Sequence, residues 1–137
     1  MKLNFEISTI LTYTLFIFLI FGLNEETRAL KLFPTDEDYA VVVDKAPTPI
    51  GGLETIVKKI VYPQMAINTR TEGKVYLLIY VSEAGNVDDV KVIKGIGAGC
   101  DEESIRVLKK TKFTPGEQKG IPVKAKLSIA LSFRLPG

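Results

Sequence analysis

The clearest pattern lies near the C-terminal end. Val123, Ala125, Leu127, Ile129, Leu131, Phe133 and Leu135 alternate with Lys124, Lys126, Ser128, Ala130, Ser132 and Arg134. Strict period-two patterning of that length predicts a long strand with one buried and one wet face. Lysines and serines on the wet face suit a sheet edge, where charge discourages unwanted pairing. The stretch from Lys74 to Val81 is apolar on both faces, with Val75, Leu77, Ile79 and Val81 on one and Tyr76, Leu78 and Tyr80 on the other. Such a strand belongs in the middle of a sheet, covered on at least one side. Glu83 to Asn86 reads as a turn and Val87 to Lys94 as a second strand. The short loop makes that pair an antiparallel hairpin.

The helical signals fall between the strands. Leu53, Ile56, Val57 and Ile60 occur at i, i+3, i+4 and i+7, which places them on one helix face. Glu54 in the first turn and Lys58 and Lys59 in the last match the helix dipole. Pro63 stops that helix, and residues 64–69 add one further helical turn. A second helix follows the glycine-rich run of residues 95–99. Asp101 reads as its N-cap, Ile105 and Leu108 as its inward residues, and Lys110 as its end. The order is helix, strand, strand, helix, strand. Residues 50–137 are therefore expected to form an α+β domain: a three-stranded antiparallel sheet with two helices on one face. The first strand should lie between the second and the last.

The N-terminal part is different in character. Ile7 to Leu23 carries no charge. As a helix it would be about 25 Å long, against about 30 Å for the hydrocarbon core of a bilayer. Residues 1–23 thus read as a transmembrane anchor or a signal peptide. Lys2 precedes the run and Glu25 and Glu26 follow it, so the remainder of the chain is expected outside the cytoplasm. Thr27-Arg28-Ala29 is a loose match to a cleavage site. Residues 24–49 read as an acidic linker, an irregular tether of at most about 85–95 Å. Within it, Tyr39-Ala40-Val41-Val42-Val43 has the composition of a short strand.

Charge and composition narrow the chemistry. The chain of 137 residues has a formal net charge of +2, no histidine, no tryptophan and one cysteine. Residues 1–49 hold four Lys/Arg against seven acids, and residues 50–137 hold fourteen against nine. The positive residues are scattered, with no basic-aromatic run, which argues against nucleic acid as a partner. A lone Cys100 cannot form an intramolecular disulfide and reads as a small buried hydrophobe. The glycine-rich loop lacks the lysine and Ser/Thr of a phosphate-binding loop, and Asp101, Glu102 and Glu103 would repel an anion. Asp88-Asp89 and Glu102-Glu103 are adjacent pairs that point different ways, not a catalytic dyad. No catalytic residue, cofactor site or metal site is expected.

Several short landmarks occur together in a characteristic order. Tyr62-Pro63-Gln64-Met65-Ala66, Glu72-Gly73-Lys74-Val75, Gly85-Asn86-Val87-Asp88-Asp89-Val90 and Phe113-Thr114-Pro115-Gly116 resemble the landmarks of the TonB C-terminal domain. The resemblance covers about residues 50–136. It implies a periplasmic domain that couples inner-membrane energy, through the proton-driven partners ExbB and ExbD, to outer-membrane transporters. It further implies that the domain grips a "TonB box" segment of a transporter by strand addition. On that reading the partner-binding residues are Lys126, Leu127, Ser128, Ile129, Ala130, Leu131, Ser132 and Phe133 of the last strand, with Lys59 and Tyr62 flanking the groove. The competing reading is that this edge is capped by its own lysines or by a second copy of the domain.

An alternative function keeps the fold without the motor: a periplasmic peptide-binding or adaptor module. Its ground is a set of departures from the family pattern. The family's membrane helix often carries S-x-x-x-H, whereas here Ser8 is followed four residues on by Thr12. Lys59-Ile60-Val61 stands where the family has a glutamine-rich stretch, and the long Pro-rich spacer is absent between Leu23 and Pro49.

Overall fold

The computed structural model describes residues 35–137, and the apolar run Ile7–Leu23 lies outside them. Residues from Glu37 to Gly137 form one compact unit. Among the described residues, no helix is long and apolar enough to cross a membrane. A single 3₁₀ turn at Asp36–Asp38 leads into the body.

The main sheet has three antiparallel strands: β2 (Gly73–Val81), β3 (Val87–Lys94) and β7 (Ala125–Phe133). Their order is β3-β2-β7, with the apolar strand in the centre as expected. β2 and β7 pair without interruption, from Gly73 opposite Phe133 to Val81 opposite Ala125. Two short ribbons flank the sheet. One joins β1 (Thr48–Pro49) to β4 (Phe113–Thr114), and the other joins β5 (Gly116–Gln118) to β6 (Ile121–Val123). The long alternating run is thus divided: Ile121–Val123 belongs to a ribbon, and the edge strand proper begins at Ala125.

Among the described residues there are three α-helices: α1 (Leu53–Lys59), α2 (Gln64–Asn68) and α3 (Cys100–Lys109). Ile56, Ala66, Cys100, Val107 and Leu108 from these helices share one core with Val75, Leu77, Ile79 and Val81 of β2. Ile129, Leu131 and Phe133 of β7 complete it. The helices therefore cover one face of the sheet.

Two helical expectations need correction. In α1 only Ile56 is buried, while Leu53 and Val57 are 55% and 54% exposed. A seven-residue helix makes too few turns to lay a full stripe on the core, and Ile60 already lies past its end as the C-cap. At α3 the N-cap is Gly99, in the left-handed region at φ 86°, and Cys100 is the first helical residue. Asp101 is inside the helix. Its carboxylate accepts the N–H groups of Ile96 (2.9 Å) and Gly97 (3.2 Å) in the preceding loop. Two N–H donors of that loop are thus engaged by Asp101. The inward row of α3 is Cys100, Ser104, Val107 and Leu108, with Ile105 only half-buried.

The stretch read as tether is attached to the sheet from Tyr39 onward. Tyr39 is buried and packs edge-on against Tyr80 at 5.0 Å between ring centroids, and its hydroxyl donates to Asp88 at 2.6 Å. Ala40 forms a single parallel bridge with Ala125. Lys45 pairs with Glu117 through both backbone hydrogen bonds and a 3.3 Å ion pair. Pro47 is fully buried. Val41 and Val42 are instead 73% and 86% exposed, so the strand expected over residues 39–43 reduces to the bridge at Ala40.

Candidate functional site: an open sheet edge

β7 has a strand partner on one side only. Backbone groups of an antiparallel strand alternate in direction, so every second residue points its N–H and C=O away from the neighbour. The direction is set by Lys126, whose N–H goes outward to the Ala40 carbonyl at 2.9 Å, while the Ala40 N–H donates to the Lys124 carbonyl at 2.9 Å. With unbroken register, Ser128, Ala130 and Ser132 point the same way. All three are exposed, and among the described residues no backbone hydrogen bond reaches their outward groups.

The side chains divide by face. Leu127, Ile129, Leu131 and Phe133 lie on the helix side, where Ile129, Leu131 and Phe133 are at most 9% exposed. They hold the strand in register, since a one-residue slip would exchange buried and exposed rows. On the other, open face the row runs Lys124, Lys126, Ser128, Ala130, Ser132, Arg134. It is positive at both ends, neutral in the middle, and contains no carboxylate. Beside it on β2 stand Lys74, Tyr76, Leu78 and Tyr80. Lys91 and Lys126 lie over the Tyr80 ring at 4.8 and 5.8 Å, and Lys124 over Tyr39 at 5.7 Å, within cation–π range.

The small side chains at the centre of the row leave hollows. One of about 610 Å³ lies over Tyr76, Ile93, Lys94, Ser128 and Ala130. Another of about 620 Å³ lies between residues 41–46 and Leu78, Lys126, Leu127 and Ser128.

The ten residues singled out from sequence thus fall into four placements. Ser128, Ala130 and Ser132 combine an exposed side chain with outward backbone groups. Lys126, Leu127, Ile129, Leu131 and Phe133 frame that edge, and the Lys126 N–H is already engaged by Ala40. Tyr62 packs on Phe133 at 5.7 Å between ring centroids, and its hydroxyl donates to the Thr71 carbonyl at 2.6 Å. Its ring therefore buttresses the helix side of β7. Lys59 ends α1, and its carbonyl accepts from Arg106 Nη2 of α3 at 3.2 Å. Residues Tyr39 and Ala40 were not singled out as part of the site, although their strand-like composition was visible.

Burial and hydrogen bonding shift several titratable groups. Burial pushes the Cys100 thiol up, and the neighbouring Asp101 and Glu102 add to that shift. Burial also raises the Tyr39 phenol, reinforced by its bond to Asp88. Glu103 is lowered by its hydrogen bonds from Arg106, against an opposing effect of burial. Among the described residues, no group of three or more metal-binding side chains occurs.

These features define a small α+β module in which β7 is an open, basic-flanked sheet edge. Residues 58–135 match the family described as Gram-negative bacterial TonB protein C-terminal, and the chain belongs to that family. It is 29% identical over 77 residues to the protein TonB of Vibrio cholerae serotype O1, a match covering 56% of this chain and 32% of that protein. The match thus spans about a third of that relative's length. Among solved structures, the TonB C-terminal domain of Helicobacter pylori is similar at 21% identity and a TM-score of 0.48, over 82% of this chain and 94% of that one. The TonB C-terminal domain of Pseudomonas aeruginosa is similar at 22% identity and a TM-score of 0.47, over 72% and 95% respectively.

Proposed function

We propose that this chain is a periplasmic TonB-like module that takes an extended TonB-box segment of an outer-membrane transporter onto β7. The observation that carries this reading is the outward row of backbone donors and acceptors at Ser128, Ala130 and Ser132. Strand addition there forms main-chain hydrogen bonds of regular spacing and requires no covalent chemistry. The edge is rigidly backed, because β7 is paired along its whole length with the central strand. A pull along an added strand loads several hydrogen bonds in shear at once. Such an edge therefore suits the transmission of force from the inner membrane, with Ile7–Leu23 as the anchor and ExbB and ExbD as the energised partners.

The experiment substitutes proline at Ser128. Its N–H faces outward, so the β2 ladder loses no bond, and proline is tolerated at that side of an edge strand. A TonB-box peptide should bind this variant about tenfold more weakly, by the loss of a main-chain bond and the steric cost of the ring. Unchanged affinity in a folded variant would refute edge binding.

A second reading, a periplasmic adaptor without motor coupling, is favoured by the absence of any histidine from the chain. Crosslinking in whole membranes separates the two. Recovery of ExbB or ExbD with the chain supports the transducer, and recovery of the transporter alone supports the adaptor.

A further inference from the structure

Residues 39–46 form a strap across one end of the open face. It is pinned at both ends: by the Tyr39–Asp88 hydrogen bond and the Ala40 bridge at the start, and by Asp44 and Lys45 at the finish. The Asp44 carboxylate accepts the Lys119 N–H at 2.7 Å, and Lys45 pairs with Glu117. Between the pins, Val41 and Val42 stand out from the sheet and are largely exposed. Beneath them is the cleft of about 620 Å³ that runs to Leu78 and Ser128. Two large exposed valines on a pinned segment form a wall without a facing side.

We propose that the strap is one wall of the peptide site: it seats a bulky apolar side chain of the partner segment between Val42 and Leu78. This rests on the edge-strand reading above and adds a specificity element to it. Ser128 connects the two features, because it lines the cleft and also offers outward backbone groups. A segment added beside Ser128 projects alternate side chains onto the open face. There it meets a serine and an alanine too small to fill the space. A leucine-sized side chain at that position reaches over Ser128 into the cleft and removes apolar surface of the strap from water. Ala40 already occupies the edge at Lys124 and Lys126, so the incoming strand stops there and its register is set.

The chemistry points to an extended heterologous peptide. Two copies of β7 paired antiparallel about Ala130 would bring Arg134 of each onto the Lys126 position that Ala40 already holds, and would crowd like charges together there, which is destabilising. A peptide with a neutral centre avoids that repulsion.

The test uses the full chain in detergent micelles and two end-blocked heptapeptides of alternating threonine and valine. The probes differ at one central position, leucine in one and alanine in the other. The wild-type chain should bind the leucine probe about tenfold more tightly. Val42→Asp, a change at a position 86% exposed, should leave the fold intact and make the two affinities equal. Equal affinities on the wild-type chain, with shifts at the Ser128–Ser132 amides, would overturn the strap wall while the edge reading stands. A leucine preference that persists in Val42→Asp would overturn it as well. Failure of both probes to bind the wild-type chain would remove the edge reading and this proposal together. Dimerisation through β7 without peptide, read by light scattering, would put a second copy in place and overturn the peptide assignment.

Discussion

The Gly85 carbonyl accepts the Phe113 N–H at 2.9 Å, so the β2–β3 hairpin turn is tied to β4 across the end of the sheet. Gly85 has φ 78°, and a Cβ placed on it would lie 2.0 Å from the Phe113 carbonyl oxygen. The neighbour is backbone and cannot swing aside. Gly85→Ala should therefore destabilise the protein by about 3 kcal/mol or more, from strain and overlap combined. Urea unfolding of the variant checks this, and a loss below about 1 kcal/mol would mean that the turn relaxes freely.

Glu103 fastens the chain between α1 and α2 onto α3. Its carboxylate accepts the Val61 N–H at 2.7 Å and the Arg106 Nε and Nη2 groups at 2.7 and 2.6 Å. Those Arg106 bonds, offset in part by burial, hold its pKa below the usual glutamate value. A depressed folded-state pKa means that this contribution is present above the unfolded-state value and is lost as pH falls through the folded one. Glu103→Gln should cost about 1 kcal/mol at neutral pH, a value already discounted for solvent screening. The difference from wild type should shrink on acidification. Denaturant melts at pH 7 and at pH 3 measure both, and a gap that widens in acid would contradict the assignment.

The strap should contribute to folding as well as to binding. A fragment of residues 48–137 contains every strand and helix named above but lacks Tyr39, the Ala40 bridge and Pro47. It should be less stable than residues 37–137 by about 3 kcal/mol, from the buried tyrosine and its ring pair. Parallel thermal melts decide this. Equal midpoints would show that residues 39–47 merely rest on the sheet.

Much of this architecture was legible because it is local or periodic. Ala125–Phe133 declares its two faces through strict alternation, and β2 declares its central place by being apolar on both sides. The strap was not legible, because Tyr39, Ala40 and Lys45 find their partners at Asp88, Lys124 and Glu117, far along the chain. Composition shows that residues 39–43 can extend but not where they dock. The α1 stripe misled for a related reason. Heptad-like spacing says which residues share a face, but Leu53 and Val57 remain exposed because the helix is too short to lay that face on the sheet. Asp101 has the composition of an N-cap, yet its carboxylate reaches back to loop donors that only the folded loop brings within range. Within the candidate edge, Ser128, Ala130 and Ser132 were identified by pattern. The engagement of the Lys126 N–H and the buttressing place of Tyr62 required tertiary structure.

The central claim is that β7 is the partner-binding edge, and amide NMR tests it most directly. The full chain in micelles is titrated with a TonB-box peptide from a transporter. The account predicts that the largest shifts fall on the amides of Ser128, Ala130 and Ser132, with slowed solvent exchange as their N–H groups become paired. Shifts that cluster instead on the hairpin turn near Gly85 or on the helices, with residues 127–133 unmoved, would contradict it.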